Sequence, residues 1–285
     1  MAEKVDTGKE EITVAYSGIE GSFASIATGK LFPDAGRVSC RNFAEAYRKV
    51  EEGKCEIAVL PIENSYAGGV GQVMDLMFEG DLSINGVYEL GVSHCLLGPK
   101  GSSLETVRKV ISHPQALEQC DEYIYEHGFE TIQSENTARA ARCVAERADV
   151  SVAAIASQET AELYGLKVLE KQIHQSSRNT TRFAVFSKSR EALDHPERYQ
   201  TFILMFTVKH EAGTLAKAIS VLGKYGYSMR VIRSRPLKNE NWQYYFYTEV
   251  DGDISSLNGM QMLVELGRQC VTVKVIGAYT PGLTI

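Results

Sequence analysis

Five consecutive residues, Asn179-Thr180-Thr181-Arg182-Phe183, combine an amide, two hydroxyls, a guanidinium and an aromatic ring, then run into the apolar Ala184-Val185-Phe186. A polar cluster feeding a strand-like run places hydrogen-bond donors at the lip of a cleft. The same five residues also describe a strand cap with a surface arginine, and the choice depends on what the rest of the chain delivers to the same place. Other polar groups sit at comparable strand ends. Ile57 to Ile62 is an unbroken apolar run, as in a strand covered on both faces, and it ends in Glu63-Asn64-Ser65 before Gly68-Gly69. Val110-Ile111 leads into Ser112-His113-Pro114-Gln115, where Ser112 or His113 caps a helix with proline in its first turn, and Gln119 lies on that helix. Asn64 also reads as a turn residue, and Gln119 as a surface amide.

The elements that position these groups alternate. Ile12 to Tyr16 runs into Ser17-Gly18-Ile19-Glu20-Gly21, and Phe23, Ile26, Ala27 and Leu31 follow at helical spacing. Asn42 caps a helix with Phe43, Ala46, Tyr47 and Val50 on one face. This order predicts an α/β layer with a largely parallel sheet whose ligands bind beyond the strand C-terminal ends. Gly98-Pro99-Lys100-Gly101, after a strand-like stretch from Ile84 to Leu97, is the expected crossing into a second lobe. Asn136-Thr137, Val152 to Ile155 and Ser157 continue that lobe, and His174 to Asn179 returns to the first. The expected lobes are about 12–97 with 175–188, and about 98–174. A cleft between two such lobes is a common small-molecule site.

From Thr201 the pattern changes to β-α-β-β-α-β over about 200–280, a small independent fold of the ferredoxin-like α+β kind. The boundary is expected in Lys188 to Gln200, which is charged and holds Pro196. Trp242 is expected in a core or a dimer face rather than a binding box.

The chain has 285 residues, a net charge of −6, 44% hydrophobic and 23% charged residues. That is an ordinary soluble composition, and the acidic balance argues against a nucleic-acid partner. The six cysteines contain no Cys-x-x-Cys pair, so neither a disulfide framework nor a zinc site is suggested and a cytoplasmic setting is expected. No apolar run approaches the roughly 18 residues of a membrane span, and the charged first residues do not look like a signal peptide.

Taken together, Pro61-Ile62-Glu63-Asn64-Ser65, Ser112-His113-Pro114-Gln115-Ala116-Leu117 through Gln119-Cys120, Asn136-Thr137-Ala138, Ala154-Ile155-Ala156-Ser157, Tyr164-Gly165-Leu166 and Thr181-Arg182-Phe183 resemble the prephenate dehydratases. The tail resembles the ACT-type regulatory domain of that family, with Gly213-Thr214-Leu215 and Ser234-Arg235-Pro236 in place. The resemblance covers roughly residues 12 to 280, and with so short a leader no fused chorismate mutase is expected. It implies a two-lobed, periplasmic-binding-protein-like catalytic domain over 12–188 followed by an ACT domain over 200–280. It also implies loss of water and carbon dioxide from the dianion prephenate, driven by aromatisation and needing no metal or redox cofactor.

By the same resemblance, Thr181 donates to the leaving hydroxyl, Asn64, Ser112 and Gln119 add neutral donors, and Glu63 orients them. Arg182 is the expected carboxylate partner, with Phe183, Thr180, Ser65 and Thr137 also contacting substrate. Phenylalanine is the implied effector, held by Ala212, Gly213, Thr214, Leu215, Ser234, Arg235 and Pro236, in a homo-oligomer expected to be a tetramer built as a dimer of dimers. Two departures stand out. Where the family usually reads Glu-Ser-Arg-Pro, this chain has Arg233-Ser234-Arg235-Pro236, which unsettles the strength of regulation. Ala24 replaces a frequent serine, whose contact would fall to Ser22 or Ser25. Arogenate dehydratase, a decarboxylase that keeps the hydroxyl, and a non-enzymatic two-lobed amino-acid sensor are the alternatives.

Overall fold

The structure is a computed structural model that describes residues 12–175, 179–189, 200–238 and 240–285. The expected boundary segment therefore lies largely outside the described residues, as do the first eleven.

The first lobe begins β1 (Thr13–Ser17), α1 (Phe23–Leu31), β2 (Gly36–Cys40), α2 (Phe43–Glu51) and β3 (Ile57–Asn64). It continues through β4 (Gly68–Gly69), α3 (Gly71–Glu79) and β5 (Ser83–Gly91). β1 runs parallel to both β2 and β3, and helices start immediately beyond the strand ends. Side chains fix those starts: Ser22 accepts from the Ser25 amide and Asn42 from the Glu45 amide. Each cap satisfies one of the donors a helix leaves free at its first turn.

The second lobe holds β6 (Cys95–Gly98), β7 (Lys109–Ser112), α4 (Pro114–Gln119), α5 (Asp121–Glu126) and β8 (Glu130–Gln133). α6 (Thr137–Arg147), β9 (Val152–Ala156), α7 (Gln158–Tyr164) and β10 (Lys167–Glu170) complete it. Its sheet has the order β10-β6-β9-β7-β8. β9, Val-Ala-Ala-Ile-Ala, is buried at every position, as a central strand covered by helices on both faces must be. The crossing between lobes differs from expectation. The chain leaves the first sheet at Gly91 and enters the second at Cys95, so the crossing is Val92-Ser93-His94 and not the Gly-Pro-Lys-Gly turn. The strand-like stretch from Ile84 to Leu97 holds two strands of different sheets.

The return strand β11 (Thr180–Ser187) inserts antiparallel between β3 and β5, with Thr181 opposite Asn64 and Arg182 opposite Glu63. The C-terminal unit follows as β12 (Thr201–Thr207), α8 (Thr214–Lys224), β13 (Ser228–Pro236), β14 (Tyr244–Asp251), α9 (Leu257–Gln269), β15 (Thr272–Tyr279) and the short β16 (Leu283–Thr284). Its strand order, β13-β14-β12-β15, all antiparallel, is the ferredoxin-like arrangement.

This unit does not stand apart as the sequence suggested. β15 meets β5 where Gly277 lies opposite Ile84, and the two sheets become one of eleven strands. A side chain at Gly277 would put its Cβ 2.2 Å from the Ile84 carbonyl oxygen, so only glycine allows that approach. Phe202, Leu204 and Phe206 pack under α8 and α9. From the opposite face of the same strand, Ile203 and Met205 join Leu60, Ile62, Met74 and Met77 in the core of the first lobe. Trp242 is 80% exposed, which excludes the core placement.

Candidate active site

A cavity of about 450 Å³ opens between the two lobes, with Thr181 and Asn64 on its first-lobe wall and Gln119 on the other. Strand pairing brings Asn64 and Thr181 together, since their positions are in register across β3 and β11. The Asn64 amide nitrogen donates to Thr181 Oγ1 at 3.0 Å, to Asn179 Oδ1 at 2.8 Å and to the Thr180 carbonyl at 3.2 Å. Its carbonyl oxygen accepts from the backbone amides of Tyr66 and Ala67, both at 3.0 Å, and from Gln115 Nε2 at 3.3 Å. The amide is thereby fixed in orientation, and Thr181 Oγ1 acts as its acceptor. The hydroxyl proton of Thr181 has no acceptor among the described residues and remains to donate into the cleft.

The network continues away from Thr181. Asn179 Nδ2 donates to Gln119 Oε1 at 2.9 Å, and His94 Nε2 lies 2.9 Å from the same oxygen. A carbonyl oxygen only accepts, so His94 carries its proton on Nε2. Burial, the largest influence, pushes the His94 imidazole down to about 4; the Gln119 contact pulls it up and His174 pulls it further down. His94 is therefore neutral near pH 7. Gln119 Nε2 and His94 Nδ1 are buried without a partner among the described residues. The Gln119 amide is thus an unspent donor at the cleft wall, held by Asn179 and His94.

Charge recognition is built differently. Among the described lining residues, Arg41 is the one guanidinium, 88% exposed at the rim beside Glu45. The first turns of α1, α2 and α6 all border the cavity through Phe23, Phe43 and Thr137. Three helix N-termini from two lobes thus border the cavity, and their dipoles favour negative charge there, against the one lining carboxylate among the described residues, Glu135.

Five of the ten residues expected in the catalytic and substrate sets line this cavity: Thr181, Asn64, Gln119, Thr137 and Phe183. Ser22 lines it too, beside Ala24. The other five do not. Successive strand residues face opposite ways, so if Thr181 and Asn64 point into the cleft, Arg182 and Glu63 point out of it. Arg182 donates to Glu63 at 2.8 Å and grips both oxygens of Glu249 at 3.0 Å each, and it also meets the Tyr279 hydroxyl. It is no carboxylate partner for a ligand in the cleft, and Glu63 orients none of the cleft donors directly. Burial opposes the charge on Arg182, but Glu249, Tyr279 and Glu63 more than compensate and hold it protonated. Thr180 contributes its backbone, and Ser65 Oγ accepts from the Thr180 amide at 3.0 Å. Ser112 is fully buried and spends its hydroxyl on the Ile155 carbonyl at 2.6 Å. His113, not Ser112, caps α4.

Asn179, His94 and Gln115 had no expected role. Asn179 belongs to the five-residue stretch itself, and its amide could have been weighed with the others. A lone histidine after Val92-Ser93 was the only trace of His94.

In the C-terminal unit, Gly213 adopts φ +83° at the start of α8, whose first turn has no side-chain cap. Thr214 turns its hydroxyl back to the carbonyls of Lys209 and Glu211. Ser234, Arg235 and Pro236 lie on the edge strand β13, but Arg235 is engaged elsewhere, binding Asp75 of the first lobe through Nε at 2.8 Å and Nη2 at 2.9 Å.

The prephenate dehydratase family model matches residues 14–191. The chain is 31% identical over 294 residues to arogenate dehydratase/prephenate dehydratase 2, chloroplastic, of Arabidopsis thaliana, spanning all of this chain and 77% of that protein. Among solved structures, a prephenate dehydratase in complex with L-Phe from Arthrobacter aurescens superimposes with a TM-score of 0.85 at 25% identity, covering 94% of this chain and 90% of that one. GqqA, described as a novel type of quorum quenching acylase, superimposes with the same TM-score at 31% identity, covering 94% and 98%.

Proposed function

The chain belongs to the prephenate dehydratase family, and from that premise we propose that its interlobe cleft converts prephenate to phenylpyruvate, with Thr181 as the positioned donor to the departing hydroxyl. The ring carboxylate leaves as carbon dioxide. Its bonding pair flows through the ring, and the hydroxyl on the far ring carbon departs and takes up a proton to become water. A threonine cannot hold a stable negative charge near neutral pH, so Thr181 lends or relays a proton whose source is solvent. One preorganised donor of this kind lowers a barrier by about 3 to 4 kcal/mol. Asn64 holds the Thr181 oxygen, Gln119 offers its free amide, and Phe183 and Thr137 complete the walls. The substrate carboxylates face the starts of α1, α2 and α6 and, at the rim, Arg41. Neutral donors suit a dianion that loses one charge as it reacts.

The observation that carries this reading is the Asn64–Thr181 contact, which orients a hydroxyl with an unspent proton toward an anion-receptive cavity. It also weighs against an acylase mechanism, because a nucleophilic threonine needs a base within hydrogen-bond reach and Thr181 has an amide donor there. Arogenate differs from prephenate by an amine in place of a side-chain ketone, and it remains the second substrate to test. Purified protein incubated with each compound is expected to give phenylpyruvate from prephenate. Phenylalanine formed from arogenate alone would move the assignment to that substrate, and no product from either would overturn the reading.

The C-terminal unit works as an ACT-type regulatory domain for phenylalanine. The relative solved with L-Phe supports the ligand, and the open first turn of α8 after Ala212-Gly213 supports a site for its carboxylate, with Leu215, Ser234 and Pro236 close in sequence to those elements. The enzyme acts in the cytoplasm as a homo-oligomer, with a tetramer built as a dimer of dimers. Exposed Leu257, Met260 and Val264 on one face of α9 support contact between copies. Among the described residues no helix is long and apolar enough to cross a membrane.

A further inference from the structure

We propose that Arg233 works as a positioning residue for catalysis: by latching onto Glu63 it lets the C-terminal unit set the placement of Asn64 and Thr181. The inference rests on the dehydratase reading of the cleft. Glu63 is bound from two sides. Its Oε2 accepts from Arg182 Nη1 at 2.8 Å, and its Oε1 accepts from Arg233 Nη2. Arg182 is held in turn by both oxygens of Glu249. Glu249 also takes the hydroxyls of Tyr247 and Tyr279, each at 2.6 Å. The chain of contacts therefore starts on β13 and β14 of the C-terminal unit and ends on β3 and β11. There, Glu63 and Arg182 each stand one residue from a cleft donor, Asn64 and Thr181. A pleated strand is stiff over one residue, so moving Glu63 or Arg182 moves its neighbour.

A second contact lies beside the first. Arg235 grips Asp75 on α3, and Tyr245 donates to the same carboxylate at 2.6 Å. Between the two contacts runs the loop that holds Asn64, with Gly68 opposite Asn64 and Gly69 opposite Glu63. The arginines cross it over glycines. A Cβ on Gly69 would lie 3.4 Å from Arg233 Cδ and Nε, and one on Gly71 would lie 2.0 Å from Arg235 Nη1.

Charge explains why arginine matters at 233. Glu63 and Glu249 are balanced by Arg182 and Arg233, with Glu249 only 2% exposed. A glutamate at 233 would set three carboxylates around the single guanidinium of Arg182, and like charges at a partly buried site repel strongly. The latch would open, and the loop and strand ends carrying Asn64 and Thr181 would lose a fixed neighbour.

The test uses the full chain with Arg233→Glu and Arg233→Lys, reading kcat and KM for prephenate. Displacing a catalytic group by about 1 Å costs on the order of a hundredfold, so Arg233→Glu is expected to lose about tenfold to a hundredfold in kcat with KM within about twofold. Arg233→Lys keeps the charge on Glu63 and is expected to recover most of the rate. Should Arg233→Glu fail to fold, the neutral Arg233→Gln is read instead, with the same split and a smaller loss. Backbone amide exchange at residues 63–65 and 180–182, measured on the same proteins, is expected to quicken in the charge-reversed or neutral variant and not in Arg233→Lys. Unchanged kcat together with unchanged exchange overturns the latch, as does an equal loss in Arg233→Lys. A wild-type protein inert toward prephenate overturns the dehydratase reading instead, and the exchange measurement then decides the latch by itself.

Discussion

The paired strands β3 and β11 have two faces, and their chemistry is opposite. Toward the cleft they present Asn64 and Thr181, neutral groups joined by one hydrogen bond of 3.0 Å. Toward the C-terminal unit they present the Glu63–Arg182 ion pair, held by Arg233 and Glu249. The difference is instructive because both faces belong to the same backbone. In the proposed reaction the dianion meets mainly polar, uncharged donors and helix ends, with Arg41 the one guanidinium among the described lining residues, at the rim. Charge is kept on the other face, where it fastens one unit to another and does not line the cleft.

The largest expected effect breaks the charged face. Arg182→Gln leaves Glu249 buried without its bidentate partner, and loss of one member of a buried pair costs about 3 to 5 kcal/mol of stability. A large fall in the thermal midpoint is expected, with the KM for prephenate in the surviving folded protein near its original value. A selective rise in KM at full stability would return Arg182 to the substrate, where the motif alone had placed it.

The cleft face should respond in the opposite way. Thr181→Ala is expected to lower kcat by a factor equivalent to about 3 to 4 kcal/mol, with the thermal midpoint hardly moved. Gln119→Met belongs to both behaviours. It leaves the Asn179 amide and the His94 Nε2 proton buried without an acceptor, at a cost of about 1 to 3 kcal/mol in stability, and it also removes the amide proposed as a donor to substrate. Stability and kcat should therefore fall together, and loss of only one would separate the amide's two roles.

The last effect concerns pH. His94 binds its proton near pH 4 in the folded chain and near 6.5 when unfolded. Between those values the unfolded state carries more protons, so this contribution to stability is complete above about pH 6.5 and is lost as pH falls toward 4. His94→Gln should flatten that part of a stability–pH curve. The charged face has its own window. Burial pushes the Glu249 and Asp75 carboxyls up, but Arg182 in one case and Arg235 with Tyr245 in the other outweigh it and leave both below their ordinary values. Their contribution is complete above an unfolded carboxylate's value of about 4 and disappears as pH falls through the lower native values.

What could be read beforehand follows the range of the interactions. Local signals were sufficient for the alternating strands and helices, the cap at Asn42, and the β-α-β-β-α-β tail. The face of Arg182 was also legible. Strand alternation sends it away from Thr181, but the motif as a block suggested that all three of its side chains meet substrate. Ile203 and Met205, apolar between Phe202, Leu204 and Phe206, already described a strand covered on both faces and hence a unit packed on its neighbour. Contacts between distant segments left no local trace. Nothing near Gly277 points to Ile84, and nothing near Arg233 points to Glu63. Ser112 and His113 were both admissible caps, and only the position of the Ile155 carbonyl separates them.

The proposed role of Thr181 rests on its hydroxyl, held by Asn64 on a neutral wall of the cleft. The direct measurement is kcat at saturating prephenate for Thr181→Ser beside Thr181→Ala. Serine keeps the hydroxyl and its Asn64 donor, so it is expected to retain most of the turnover that alanine loses. Alanine turning over as fast as the unaltered enzyme would contradict the claim.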